Sequence, residues 1–370
     1  MSVTGHTSPK PTAPASADAA GGPSRQRSRS VSIRDVAKVA GVSYQTVSRV
    51  INGNSYVRDS TRDRVQAAIA ELGFRPNSAA RALASGENKS LTVITSNTTL
   101  YGYAATLQGI EEAARAADFS VGISVLESSD ENDVRAAVDR AADSSGSVIV
   151  IAFDYVGTLA LRAVPDGLPV AAAVETPETP PVAGQPWVWI DDGEAARSAT
   201  RYLLDLGHST VHYVAIPSTT HTSRRTAGWQ AALAAAGVTA PEPVGAGWDA
   251  LAGYQAGRRL ARDRAVSAIL CGNDDLALGV IRAMHEAGRS IPESVSVVGF
   301  DNAPQSAFYT PSLTTVRMDF VGLGRACFSM LHGEIEGTAP IVPHTVGRPE
   351  LIVRESAGSF NPHPTESRLR

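Results

Sequence analysis

Several things that announce chemistry are scarce or missing in this chain. Its 370 residues hold two cysteines, Cys271 and Cys327, far apart and in no CxxC or metal-ligand spacing. That excludes a disulfide framework, and both read as small core residues of a protein in a reducing cytoplasm. No uninterrupted apolar run could span a bilayer, and no charged segment followed by an apolar one opens the chain; a cytoplasmic protein with no membrane partner is expected. No GxSxG elbow, HExxH pair or phosphate-binding P-loop occurs, so nothing nominates a catalytic centre, and neither enzyme activity nor a cofactor is expected. His208 and His212 are four apart, but Gly207 precedes and a strand is predicted to follow. They share no helical face, and no metal site is expected. Gly245, Gly247 and Ala250 satisfy G-x-G-x-x-A, but GAGWDA does not join a strand to a long helix with an acid at the right distance and reads as a loop.

What is present is apolar substance and an uneven charge. Apolar residues make up 43% of the chain, enough for sizeable cores, and the length predicts two or three domains. The net charge of -4 divides sharply: residues 1–30 carry +3, residues 31–86 carry +4, and the remainder carries -11. A basic end on an acidic body is what binding of phosphates at one end requires. Residues 1–30 are rich in Pro, Ala, Ser, Gly and Thr and almost free of large apolar side chains, which predicts a disordered basic tail. Arg25, Arg27 and Arg29 can add loose phosphate contacts or simply keep the tail soluble.

Helical periodicity follows. Ser32 and Asp35 form a capping-box-like start, and Val36, Val39 and Ala40 are expected on one buried face. Gly41 supplies a turn and Ser43 an N-cap. The next helix buries Val47, Val50 and Ile51 while Tyr44, Gln45, Ser48, Arg49 and Asn52 face outward. A third helix is predicted from the Ser60/Asp63 pair through Val65, Ala68, Ile69 and Leu72, ending at Gly73 before Pro76. Arg offers two donors to guanine and Gln an amide to adenine, so the first turns of the second helix can read base edges. After Pro76, NSAARAL is a two-turn helix too short to persist without a partner.

IRDVAKVAGVSYQTVSRVIN followed by STRDRVQAAIAELGFRPNSAARALASG resembles the headpiece and hinge of the LacI/GalR repressors, and the resemblance runs on to about residue 355. It implies DNA contacts from Arg34, Ser43, Tyr44, Gln45, Thr46, Ser48, Arg49, Asn52 and Thr61, and from Asn77, Ala80 and Leu83 of the hinge. In that family the hinge folds when two copies pair on the operator, and the leucine matched by Leu83 wedges into a minor-groove step.

From Leu91 the pattern becomes short apolar runs, LTVITS, VGISVL, VIVIAF, PVAAAV, WVWI, VHYVAI, AILCGN, VSVVGF and TTVRMD, interleaved with Ala-rich helices near 107–117, 195–206 and 276–287. Continuous rather than alternating apolar strands predict parallel sheets covered on both faces, an α/β fold. The element order resembles the family's periplasmic-binding-protein-like core. The expected organisation is a disordered tail at 1–30, an all-α helix-turn-helix headpiece at 31–76, a hinge and linker at 77–88, and a core of two parallel-sheet subdomains at 89–358. The first subdomain takes about 90–188 with 320–345, the second 189–316 with 346–358, and 359–370 is a tail too short and too poor in leucine for the coiled coil that tetramerises some members. A homodimer is expected.

Ligands of such sheets bind beyond the carboxyl ends of strands, which selects Ser96, Asn273, Asp274 and Asp301; loops add Arg225 and Trp248. A carboxylate, an amide and a guanidinium beside an aromatic face suit a carbohydrate. By resemblance, Arg225, Asn273 and Asp301 bind sugar hydroxyls, Trp248 and Phe320 wall the ring, and Ser96, Leu100 and Leu323 close the other side. This implies a repressor of sugar-utilisation genes released from a pseudo-palindromic operator by a galactoside-like effector. One position departs from the family: the acid usual five residues after the proline of its PVxxVD strand is replaced by Val174, with Glu175 beside it. The sugar's identity stays open.

Overall fold

The computed structural model describes residues 31–51, 56–74, 89–174, 186–217, 223–338 and 344–360. They fall into two units that divide between Gly86 and Glu87. The expected tail at 1–30, Asn52, the hinge with Asn77, Ala80 and Leu83, Glu175 and residues 361–370 lie outside the described residues.

The first unit is three helices, α1 (Ile33–Ala40), α2 (Tyr44–Ile51) and α3 (Asp59–Leu72). A true capping box starts α1: Ser32 N donates to Asp35 Oδ2 at 2.8 Å and Asp35 N to Ser32 Oγ at 3.4 Å. Gly41, at φ 63°, ends it. The buried face of α1 is Val36, Ala37 and Ala40, whereas Val39, expected inside, is 47% exposed. At about 100° per residue, Ile33, Ala37 and Ala40 all fall to one side of Val36 and Val39 falls to the other. The third helix also differs from expectation. It begins at Asp59, Arg58 caps it without a side-chain bond, and Ser60 lies inside its first turn. Val47, Val50, Val65 and Ala68 complete a core made of small side chains.

In chain order the second unit runs β1 (Ser90–Thr95), α4 (Tyr101–Ala116), β2 (Ser120–Val125), α5 (Glu131–Ser145), β3 (Val148–Ala152), α6 (Tyr155–Ala163), β4 (Val170–Val174) and β5 (Trp187–Trp189). It continues with α7 (Asp192–Asp205), β6 (His212–Ala215), α8 (Arg224–Ala235), β7 (Val244–Gly245), α9 (Ala250–Leu260), β8 (Ala268–Cys271), α10 (Asp274–Glu286) and β9 (Ser296–Asp301). A 3-10 turn (Pro304–Phe308) leads to β10 (Thr314–Arg317), α11 (Phe320–Glu336), β11 (His344–Thr345) and β12 (Glu350–Ile352). Two six-stranded sheets result, in the orders β11-β5-β4-β3-β1-β2 and β12-β10-β9-β8-β6-β7. Every pairing is parallel except β10 with β12, a departure from the all-parallel expectation confined to an edge. All nine expected runs are strands; β7, β11 and β12, of two or three residues, were too short to leave a pattern. The helices expected near 107–117, 195–206 and 276–287 start up to six residues sooner; the caps Asp191 and Asn273 and the acids of the first turns of α7 and α10 break the apolar pattern there, while α4 opens on Tyr101 and Gly102.

Glycines set the closest helix approaches. A methyl on Gly228 of α8 would overlap the Gly193 carbonyl of α7, one on Gly279 of α10 the Ala250 carbonyl of α9, and one on Gly324 of α11 the Thr106 carbonyl of α4. Each pair packs backbone against backbone. The chain stays ordered past the expected core end, since Phe360 N donates to Leu206 O at 2.8 Å and its ring stacks on His208.

Candidate functional site

Two surfaces collect the residues singled out by sequence. On the headpiece, Ser43 Oγ accepts from Thr46 N at 3.2 Å and lies 2.9 Å from Thr46 Oγ1, which fixes the start of α2. Tyr44, 55% exposed, Gln45 and Arg49 stand out from the helix, with Ser48 and Thr46 half-buried beside them. Gln45 and Arg49 are one turn apart and share a face. Arg34 is exposed on α1, and Thr61 is half-buried in the first turn of α3. The result is a row of polar side chains on a short helix whose other face is valine.

The second surface is a cleft beyond the carboxyl ends of both sheets, with about 660 Å³ of empty space that includes open solvent. Leu100, Arg225, Trp248, Asn273, Asp301, Phe320 and Leu323 all line it. Ser96 does not. Its Oγ donates to Asp154 Oδ2 at 2.5 Å, which turns it away toward α6. Asp274 is also elsewhere: it lies beneath the cleft, accepting from Ala303 N at 2.8 Å and Thr315 Oγ1 at 2.5 Å. One helical step of about 100° puts Asp275 into the cleft in its place.

Arg225 is the hub. Its Nε donates to Asp192 Oδ2 at 3.0 Å, its Nη1 donates to the Gly272 carbonyl, and its guanidinium lies 4.7 Å from the centre of the Phe300 ring. The Gly193–Gly228 crossing brings the first turns of α7 and α8 close enough for this pair. Asp192 Oδ1, also buried, has no hydrogen-bond partner among the described residues. Burial pushes the Asp192 carboxyl up, opposed by Arg225. Burial likewise raises Asp301 to about 6, with Arg225 opposing and Asp275 reinforcing. Asp301 and Asn302 both take left-handed backbone, at φ 103° and 54°, which few non-glycine residues adopt. The turn is held from outside the cleft: Arg354 Nη2 donates to Asn302 Oδ1 at 2.6 Å, and Asn302 N donates to Thr315 Oγ1 at 3.3 Å. Asn273 is partly spent, its Oδ1 capping α10 at Leu276 N and its Nδ2 donating to Trp248 O.

Aromatic rings form the rest. Tyr103 meets Phe153 at 5.1 Å and Trp248 at 6.5 Å between ring centres, and Phe320 meets Tyr101 and Phe153, each at 6.1 Å. Tyr101, Tyr103, Phe153, Ile190, Asp192, Ile216, Asp275 and Met318 line the cleft without having been nominated. Phe153, Ile190, Ile216 and Met318 follow their strands directly or nearly so; the strand-end rule would have found them had it not been applied to polar residues alone. GAGWDA does follow a strand, the two-residue β7, and its Asp249 caps α9, so reading it as a plain loop understated it. His208 is a core residue between Ser267 and Ser296, at 2.9 and 3.0 Å.

Known proteins resemble the chain over both units. Residues 32–77 match the bacterial regulatory proteins of the lacI family, and residues 200–357 match the periplasmic binding protein-like domain. The lactose operon repressor of Escherichia coli K12 is 33% identical over 313 residues, 84% of this chain and 86% of that protein. Catabolite control protein A of Priestia megaterium is 31% identical, over 81% of this chain and 91% of its own. A lac repressor dimer solved with operator and the anti-inducer ONPF superposes with a TM-score of 0.79 at 30% identity, covering 89% of this chain and all of that one. With such identity held across most of both chains, the protein belongs to the lacI family of DNA-binding bacterial transcriptional repressors.

Proposed function

We propose that the protein represses sugar-utilisation genes as a homodimer, each copy reading half of a pseudo-palindromic operator, and that a small galactoside-like carbohydrate in the cleft releases it. In this reading the headpiece is residues 31–76, with Tyr44, Gln45 and Arg49 at base edges and Arg34, Ser43, Thr46, Ser48, Asn52 and Thr61 supporting them. Residues 77–88, with Asn77, Ala80 and Leu83, form the hinge. Arg225, Asn273 and Asp301 take hydroxyls, and Trp248, Phe320, Leu100 and Leu323 cover the ring. The observation that carries it is the cleft's chemistry: a guanidinium, carboxylates with an unpaired buried oxygen, and aromatic faces suit a polyol ring. Two sites with one output require a coupling free energy between them. Gel shifts on the DNA upstream of the protein's own gene test this, with binding expected and abolished by one member of a panel of mono- and disaccharides. No retardation, or retardation that no sugar changes, would end it. The protein needs no catalytic step, and assays for turnover of the bound sugar are expected to be negative.

A further inference from the structure

The cleft is two-faced. Among the described residues, the four charged ones that line it, Asp192, Arg225, Asp275 and Asp301, are carried by α7, α8, α10 and β9. The last belongs to the second sheet, α10 packs on it, and α7 and α8 pack on each other and on the same sheet. Among the described residues, the opposite wall carries no charge. Its centre is Phe153, Val174 and Ile190, at or just past the ends of the adjacent strands β3, β4 and β5, where Ala152 pairs with Val174 and Ala173 with Val188. Val174 is 4% exposed and Ile190 6%. None of these three side chains can accept or donate a hydrogen bond, so a hydroxyl pressed against them loses water and gains nothing.

On the reading that the cleft takes a carbohydrate, we propose that the effector carries an apolar carbon substituent, either a methyl in place of a hydroxymethyl or an aryl aglycone. The substituent lies against Phe153, Val174 and Ile190, and the hydroxylated edge of the ring faces Arg225, Asp275 and Asp301. Val174 is then a specificity residue. Its side chain excludes a polar group at that end and rewards an apolar one by removing its surface from water.

The test is calorimetric titration of the full-length protein with matched sugars in the galacto and gluco series: each hexose against its 6-deoxy form, and each methyl glycoside against its phenyl glycoside. In at least one pair the apolar member should bind more tightly by about tenfold, the discrimination an apolar pocket gives a small apolar group. The responding pair identifies the substituent as methyl or aryl. Val174→Asp should bring that ratio toward one, and Val174→Thr, nearly the same shape with a hydroxyl, should narrow it. Ratios at or below one in all pairs of the wild-type protein overturn the inference whether or not a variant folds. A folded Val174→Thr protein with unchanged ratios overturns the role of Val174. If no sugar in either series binds, the carbohydrate reading itself falls; if plain hexoses bind as well as deoxy sugars and phenyl glycosides no better than methyl, only this inference does.

Discussion

Arg49 and Asp301 illustrate how single side chains carry opposite burdens. Arg49 stands exposed on α2, stabilises nothing in the headpiece core and is available to a duplex. Arg49→Ala should therefore leave folding intact and cost about 1–3 kcal/mol of operator affinity, relaxing preference at one base pair. Gel shifts on single-base-pair variants of the operator check this; equal weakening on every sequence would make it a phosphate contact. Asp301 instead weakens the fold it belongs to. Its carboxyl is raised from 3.8 to about 6 by burial, so the folded state holds a proton that the unfolded chain releases. That contribution to stability is complete below about pH 4 and is lost as pH rises through about 6. Near neutral pH the ionised group costs on the order of 2 kcal/mol, given its partial exposure. Asp301→Asn should flatten this part of the pH profile and raise Tm by a few degrees at pH 7, while abolishing effector binding, as is common where a site is kept at the expense of stability. Asn tolerates left-handed backbone, so the turn itself should survive. Wild-type effector affinity should fall as pH drops below about 6, since only the ionised form accepts two hydroxyls; a flat profile from pH 5 to 8 would place the ligand away from Asp301.

Among elements, the α7–α8 crossing does the most for the cleft. Gly193 and Gly228 allow the two backbones to touch, which places Asp192 within 3.0 Å of Arg225. Gly228→Ala would force the helices apart, costing about 1–3 kcal/mol as overpacking does, and should weaken effector binding more than tenfold by separating that pair. Differential scanning calorimetry and titration together check it. A destabilised variant with unchanged affinity would show that the pair forms without the crossing. The buried strands β1, β3, β4, β8 and β9 could be read from sequence because burial on both faces demands continuous apolar runs. Val39 could not: on a helix of eight residues the rotation that decides its exposure depends on where α2 and α3 lie. Asp274 and Asp275 were likewise inseparable by type, because the orientation of α10 alone decides which carboxylate faces the cleft.

At the level of the full chain, the headpiece and the second unit each enclose a core of their own. A chain lacking residues 1–86 should accordingly keep its thermal transition and sugar affinity while losing operator binding altogether. Retention of tight promoter binding by that truncated chain would remove the headpiece from the account. The charge division supports the same expectation, since the first 86 residues hold all of the net positive charge that the duplex requires.

The amino-acid order alone determined the helix-turn-helix, the α/β alternation and the strand-end residues Asn273 and Asp301 of the cleft, because capping, periodicity and strand ends are local properties that neighbours in sequence express. Ser96 was misplaced because whether a residue at a strand end faces a ligand or a neighbour is set by side chains far away in the chain, here Asp154; Phe153, Ile190, Ile216 and Met318 directly follow their strands but are apolar, and in sequence only polarity marks a strand-end residue as ligand-facing. The charged wall and the apolar wall opposite it exist only once two sheets from separate stretches of sequence meet across a common gap.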